Sequence, residues 1–253
     1  MTTIVDNSNN NKNTGLFVSL FKIMLWAFIL IFLPQFLLGF VFSIFIGIQQ
    51  GGSLATEADN ARFLTTSVQL LLFLIAPLIF IPLLVKATNA TGWAERFAFW
   101  AVKPVNRKET GKWLSIGLIY WLSSLLLGEL LSLPPEQFML DIKAAVNSFT
   151  MLMLALTTIC IVVPIMEELT FRGWLYSKIK QTKLGDFGAL IITTLSFTAL
   201  HTQYNNAMTL MFIFALGLLL GGVRYKTQNT GYAILIHMLF NSLATLALFY
   251  FEI

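Results

Sequence analysis

The chain has 253 residues, 57% of them apolar and only 11% charged, against about 25% charged in an ordinary soluble domain. Its 23 phenylalanines and several charge-free windows of about 20 residues are the signature of membrane-crossing helices, which excludes a soluble globular fold. The net charge of +4 follows from the loop bias described below, so membrane lipids are expected as partners and nucleic acid is not.

The chain opens on a polar, asparagine-rich stretch, residues 1–16, expected to be a disordered tail. No short apolar core with a small-residue cleavage site follows, so the first apolar segment reads as a retained span and not a signal peptide. Cutting at charged and turn residues gives about seven spans, near 17–48, 64–86, 113–133, 147–180, 187–203, 206–223 and 229–251. The expected fold is therefore all-α, a polytopic transmembrane bundle. The first and fourth spans are longer than a bilayer needs, and Pro34 and Pro164 are placed to kink them. Between spans two and three, "TGWAERFAFWAVK" (91–103) reads as an interfacial helix with Trp93, Phe97 and Trp100 at the membrane surface, or equally as a connector. The lone Cys160 cannot form an internal disulfide and reads as a small apolar packing residue.

The basic residues orient the bundle. With a cytoplasmic N-terminus, fourteen of the 16 lysines and arginines fall on the inner side, and only Arg62 and Lys143 on the outer. That bias, alternating loop by loop, is the positive-inside pattern. Short loops and the absence of sorting signals point to a bacterial plasma membrane.

One stretch resists a purely structural reading. "IVVPIMEELTFRGW" (161–174) ends an uncharged run with two adjacent carboxylates and an arginine, and the basic cluster begins only at Lys178. A carboxylate at the centre of a membrane helix costs roughly 2.5–3.5 kcal/mol on insertion scales. If the helix continues to Lys180, Glu167 lies roughly 16 Å from the Lys178 level, near mid-bilayer. With Asp186 as the N-cap of span five, His201 lies about 22 Å in; on span seven His237 lies about 10 Å in and Asn241 about 16 Å. Both histidines of the chain can thus share one membrane layer with Glu167 and Asn241. Glu168 and Arg172 are four apart, acid first, the favourable order for a helical ion pair. His237 and Asn241 are also four apart and share a helix face. Pro164 leaves the Cys160 carbonyl without its helical donor, and Gly217 and Gly221 form a small-residue face for close helix packing.

These groups suit hydrolysis. Glu167 is placed to act as general base on a water that His201 helps to hold. His237 and the Asn241 amide are placed to donate to the oxyanion formed when water attacks an amide carbonyl. No serine or cysteine looks like an activated nucleophile. Glu167, His201 and His237 would also supply the two-histidine, one-carboxylate set of a catalytic zinc, but the H-E-x-x-H helix is absent. A divalent metal and a metal-free glutamate mechanism both stay open.

The motifs resemble those of the CAAX prenyl endopeptidase and bacteriocin-processing (CPBP, or Abi) family of intramembrane proteases. "EELTFRGWLY" is similar to its E-E-x-x-x-R motif, "FTALH" (197–201) to its F-x-x-x-H, and "HMLFN" (237–241) to its H-x-x-x-N. The similarity covers residues 147–245 as a protease core; 17–146, carrying three spans and the interfacial segment, hold no matching motif, and 246–253 end the last span. The resemblance implies a membrane endopeptidase acting on a membrane-anchored peptide or protein. It assigns catalytic roles to Glu167, His201, His237 and Asn241, with Glu168 and Arg172 in support. Two other readings compete. One is a non-catalytic scaffold or bacteriocin-immunity or signalling protein, in which the polar cluster only locks helices. The other is a transporter, disfavoured because the sequence shows no internal repeat.

Overall fold

The structure, a computed structural model, describes residues 7–49 and 58–250, with side chains placed for 17–44 (35 excepted) and from 66 onward. Among the described residues it is helical throughout, with no strand. Ten helices run in order: α1 (Asn7–Gln49), α2 (Ala58–Ile75), α3 (Pro77–Thr88), α4 (Trp93–Phe99), α5 (Arg107–Leu130), α6 (Gln137–Ala145), α7 (Phe149–Lys180), α8 (Gly185–Ala199), α9 (Ala207–Thr227) and α10 (Thr230–Tyr250). The polar stretch expected to be a disordered tail is helical from Asn7 onward, and residues 1–6 lie outside the described ones.

Among the described residues five helices are long and apolar enough to cross a membrane, α1, α5, α7, α9 and α10, and α2 with α3, bent by 44°, add a sixth if the pair is one span. The bend has a cause in sequence: Pro77 at the first turn of α3 has no N–H to continue the helical ladder. The remaining expected span, 187–203, holds a shorter helix than expected. Its helix α8 has 15 residues, roughly 22 Å, less than the ~30 Å of a hydrocarbon core. His201 lies beyond the end of α8, in the link to α9. Asp186 is also not the N-cap, which is Leu184. It sits in the first turn, where it accepts a hydrogen bond from the Tyr176 hydroxyl at 2.8 Å and pairs with Lys180 at 3.1 Å. A carboxylate there still meets the positive end of the helix dipole.

Two apolar clusters hold the bundle. The larger joins α1, α3, α7 and α8 with the α4 connection through Leu30, Phe80, Leu84, Trp100, Trp174 and Phe197. The smaller joins α5, α9 and α10 through Trp113, Leu220, Ala233 and Ile236. The expected small-residue face is the α8–α9 contact: a Cβ on Gly217 would stand 3.1 Å from Thr194 Cγ2, and one on Gly221 2.5 Å from Leu190 Cδ1. Of the three aromatics expected at the membrane surface, Trp93 and Phe97 are exposed, but Trp100 is 2% exposed and belongs to the core. It is fixed there by an Nε1–H bond to Thr88 Oγ1 at 2.7 Å and by the Thr230 hydroxyl, which donates to its carbonyl at 2.6 Å.

Candidate active site

Helix α7 positions the first motif through two π-helical segments, Thr158–Val162 and Leu169–Leu175. The first explains what becomes of Pro164. In that wider register the Val163 N–H reaches the Thr158 carbonyl, so the donor missing at Pro164 is the one Ile159 would have received. The Asn241 amide fills the gap, donating from Nδ2 to the Ile159 carbonyl at 2.9 Å. The orphan expected at Cys160 is thus shifted by one residue. Single π turns inside α-helices occur frequently at functional sites.

Behind the site lies a fully buried ion pair. Arg172 Nη1 donates to Glu168 Oε1 at 2.9 Å, and neither side chain is exposed. Arg172 Nη2 also donates to the Gly217 carbonyl at 3.0 Å, and the guanidinium lies 4.6 Å from the Phe197 ring centroid. Arg172 is thus a core residue and not one that snorkels to the membrane boundary. Glu168 Oε1 serves a second partner, His237 Nδ1, at 3.0 Å. A carboxylate accepts, so His237 carries a proton on Nδ1 and presents Nε2 to Glu167 Oε2, 3.7 Å away. The line Gly217–Arg172–Glu168–His237–Glu167 therefore ties α9, α7 and α10 into one polar chain.

Phe197 sets the relative position of the imidazoles. It is wholly buried, with its ring centroid 4.4 Å from that of His201 and 5.7 Å from that of His237. His201 Nδ1 donates to the Phe197 carbonyl at 2.7 Å. A carbonyl cannot donate, so Nδ1 holds the proton and Nε2 of the neutral ring is free to accept.

All four residues expected to act, Glu167, His201, His237 and Asn241, line one cavity of about 850 Å³, its open mouth included. That is a common size for a ligand site. Glu167 is 29% exposed and is the cavity's one carboxylate. A second cavity of about 1030 Å³ shares Glu167 and His201 and runs out past Leu30 and Phe32 of α1. Glu167 thus stands where the two meet.

Three site residues carry no signal that the sequence reading used. Tyr204 lines the cavity, and its ring lies nearly parallel to that of His201, with centroids 6.2 Å apart. Burial first, then the charges of Glu167 and Glu136, push its hydroxyl up to about 12, so it stays a donor at any working pH. Gln69 of α2 lines both cavities, and its amide has no partner among the described residues. Glu136 accepts from the backbone N–H groups of Asn205 and Asn206, both at 3.2 Å, and so fastens the link that carries His201 and Tyr204. Polarity in the stretch after His201, "TQYNN", was the one available hint for Tyr204.

Among the described residues no three His, Cys, Asp or Glu side chains come together in a way that could hold a metal ion. His201 has Nδ1 committed to the Phe197 carbonyl, and His237 has Nδ1 committed to Glu168. Each ring keeps its Nε2, so these donors are compatible with a metal-free and with a metal-assisted mechanism.

Comparison with known proteins agrees with the motifs. Residues 149–243 match the family model described as Type II CAAX prenyl endopeptidase Rce1-like. An uncharacterised 24.3 kDa protein of Escherichia coli is 35% identical over 122 residues, 47% of this chain and 55% of that one. The chain thus spans about half the length of that curated relative. No solved structure matches it.

Proposed function

We propose that this multi-pass membrane protein, Rce1-like over residues 149–243, is an intramembrane endopeptidase that hydrolyses a peptide bond of a membrane-associated protein or peptide. The observation that carries the reading is the convergence of Glu167, His201, His237 and Asn241 on one cavity, backed by a buried Glu168–Arg172 pair. Packing alone has no use for an exposed carboxylate facing two imidazoles between apolar helices, because leaving it there costs free energy.

Each residue has a role that its contacts allow. Glu167 takes a proton from a water that His201 Nε2 orients, and the resulting hydroxide attacks the carbonyl carbon. The oxyanion meets donors on the opposite wall: the second N–H of the Asn241 amide, the Tyr204 hydroxyl and an N–H on His237 Nε2 when that ring is charged. Such donors are typically worth 10²–10³ each in rate. On collapse the C–N bond breaks, and the proton held by Glu167 goes to the leaving nitrogen. Glu168 acts through His237, fixing its ring as carboxylates fix catalytic histidines elsewhere, and Arg172 pairs with Glu168 in a dry setting. The unpartnered Gln69 amide offers one donor and one acceptor, the match for a peptide group of bound substrate.

The substrate is anchored in, or adsorbed to, the membrane. The protein is set in a bacterial plasma membrane with its N-terminus in the cytoplasm, as the basic loops indicate. The test compares cleavage of a membrane-anchored peptide library by purified wild type, Glu167→Ala and His201→Ala. Both variants are expected to fold and to lose turnover; unchanged cleavage by either removes that residue from the chemistry. Metal analysis of the same preparation decides between a metal-free glutamate mechanism and a metal-assisted one.

A further inference from the structure

The two ends of the bundle differ in charge, and the site belongs to one of them. At the first end, the Asn229 amide Nδ2 donates to the Lys103 carbonyl, Lys180 Nζ to the Gln228 side chain, and the Ser177 hydroxyl to the Phe99 carbonyl. These bonds bring the entry to α5, the exit of α7 and the α9–α10 turn together. The cations of those segments therefore share one end: Lys103, Arg107, Lys108 and Lys112 before and on α5, Lys178, Lys180 and Lys183 at and after the end of α7, and Lys226 on α9. At the second end, Glu136 holds the backbone of Asn205 and Asn206, and Phe138 meets the Tyr204 ring edge-on at 6.0 Å. That joins the α8–α9 link to the start of α6. This end carries Glu129, Glu136 and Asp141 beside Lys143.

The cavities extend to the second end. Thr202 and Gln203, both exposed, line their outer part with Phe138. His201 lies a full α8 helix away from the Lys180–Asp186 pair, roughly 22 Å. Lysine- and arginine-rich loops stay on the cytoplasmic side during insertion. We infer that the catalytic cavity opens to the extracytoplasmic side of the membrane and takes a peptide segment presented there, next to the outer end of the substrate's anchor. A tail displayed in the cytoplasm has the basic end of the bundle, and the packed core around Trp100 and Trp174, between it and Glu167. The mouth fits an uncharged segment, since its walls are aromatic, aliphatic and amide. The substrate clause rests on the peptidase reading; the direction of opening does not.

The chain offers a direct test, because its lone cysteine, Cys160, is buried. In a Cys160→Ala background, Gln203→Cys, Thr202→Cys and Lys183→Cys are expressed singly in a bacterial host. Spheroplasts are treated with a membrane-impermeant maleimide before or after permeabilisation. The cysteines at 203 and 202 are expected to label fully in intact spheroplasts, and the one at 183 only after permeabilisation. Labelling at 183 without permeabilisation, or at 202 and 203 only with it, overturns the inference. A second arm gives the full-length protein two anchored reporters, with the same peptide placed outside or inside. Cleavage of the outer reporter alone supports the substrate clause, and cleavage of the inner one overturns it. If neither is cut while 202 and 203 label from outside, the peptidase reading fails and the orientation stands.

Discussion

Replacing Arg172 by methionine probes the polar chain at its best-defined link. Methionine has comparable length and no charge, so the change removes the Nη1 bond to Glu168 and the Nη2 bond to the Gly217 carbonyl with little loss of volume. Glu168 Oε1 would keep only His237 Nδ1, and Oε2 already lacks a protein partner. Breaking a buried ion pair by deleting one member costs about 3–5 kcal/mol, because the other charge is left in a poor solvent. The lost bond to Gly217 adds about 1 kcal/mol. At about 2–4 °C per kcal/mol for a chain of this size, R172M should unfold about 10–20 °C below wild type in detergent. Neutralising the survivor should repair most of this: the double variant E168Q/R172M should regain more than half of the lost Tm while staying inactive, since an amide cannot hold His237 as a carboxylate does. The assay is thermal unfolding in one detergent beside peptide cleavage, for wild type and both variants. The reasoning fails if R172M lies within about 3 °C of wild type, roughly one kcal/mol, or if the double variant is no more stable than the single.

Tyr204→Phe removes a buried hydroxyl without changing packing, and should lower kcat by about 10²–10³ with Tm unchanged if that hydroxyl meets the oxyanion; a kcat within threefold of wild type would exclude that role. Gln69→Leu should raise KM by about tenfold, the equivalent of one substrate hydrogen bond of about 1.4 kcal/mol, and leave kcat in place; a fall in kcat at constant KM would contradict a ground-state binding role. Asn241→Leu should cost about 1–3 kcal/mol by leaving the Ile159 carbonyl without a donor, read as a lowered Tm, with the inactive Glu167→Gln serving as a control of unchanged stability.

The membrane class, the all-helical bundle and the identity of the polar cluster were legible because each rests on a one-dimensional signal. Charge-free windows mark spans, and carboxylates inside such windows stand out by their cost. Depth counting at 1.5 Å per residue brought Glu167, His201, His237 and Asn241 to compatible levels, and all four do line one cavity. Where the reading missed, a third dimension decided. The segment from 187 to 200 is mostly apolar, yet its helix stops at Ala199 and hands His201 to the link that Glu136 fastens. No local pattern announces a carboxylate 69 residues upstream as that fastener. Trp100 looked interfacial because its neighbours Trp93 and Phe97 are; only the approach of Gly173, whose Cβ would stand 3.3 Å from Trp100 Cβ, shows that it is core. Gln69 and Tyr204 have no charge to make their burial conspicuous, so only the cavity reveals them.

Pro164 and Asn241 show why a correct list of residues falls short of a mechanism. Each was marked separately, the proline for a missing donor and the asparagine for a helix face shared with His237. In an α-helical register the missing donor belongs to Cys160, whose carbonyl lies one residue from the atom Asn241 reaches. The π segment moves the vacancy to Ile159, and the amide of α10 answers it at 2.9 Å. That bond sets how far α10 slides along α7, and through it the separation of His237 Nε2 from Glu167 Oε2, 3.7 Å in the structure. A helix irregularity, a proline and a side-chain amide thus bear on the spacing between Glu167 and His237, so the register of α7 is part of the site itself.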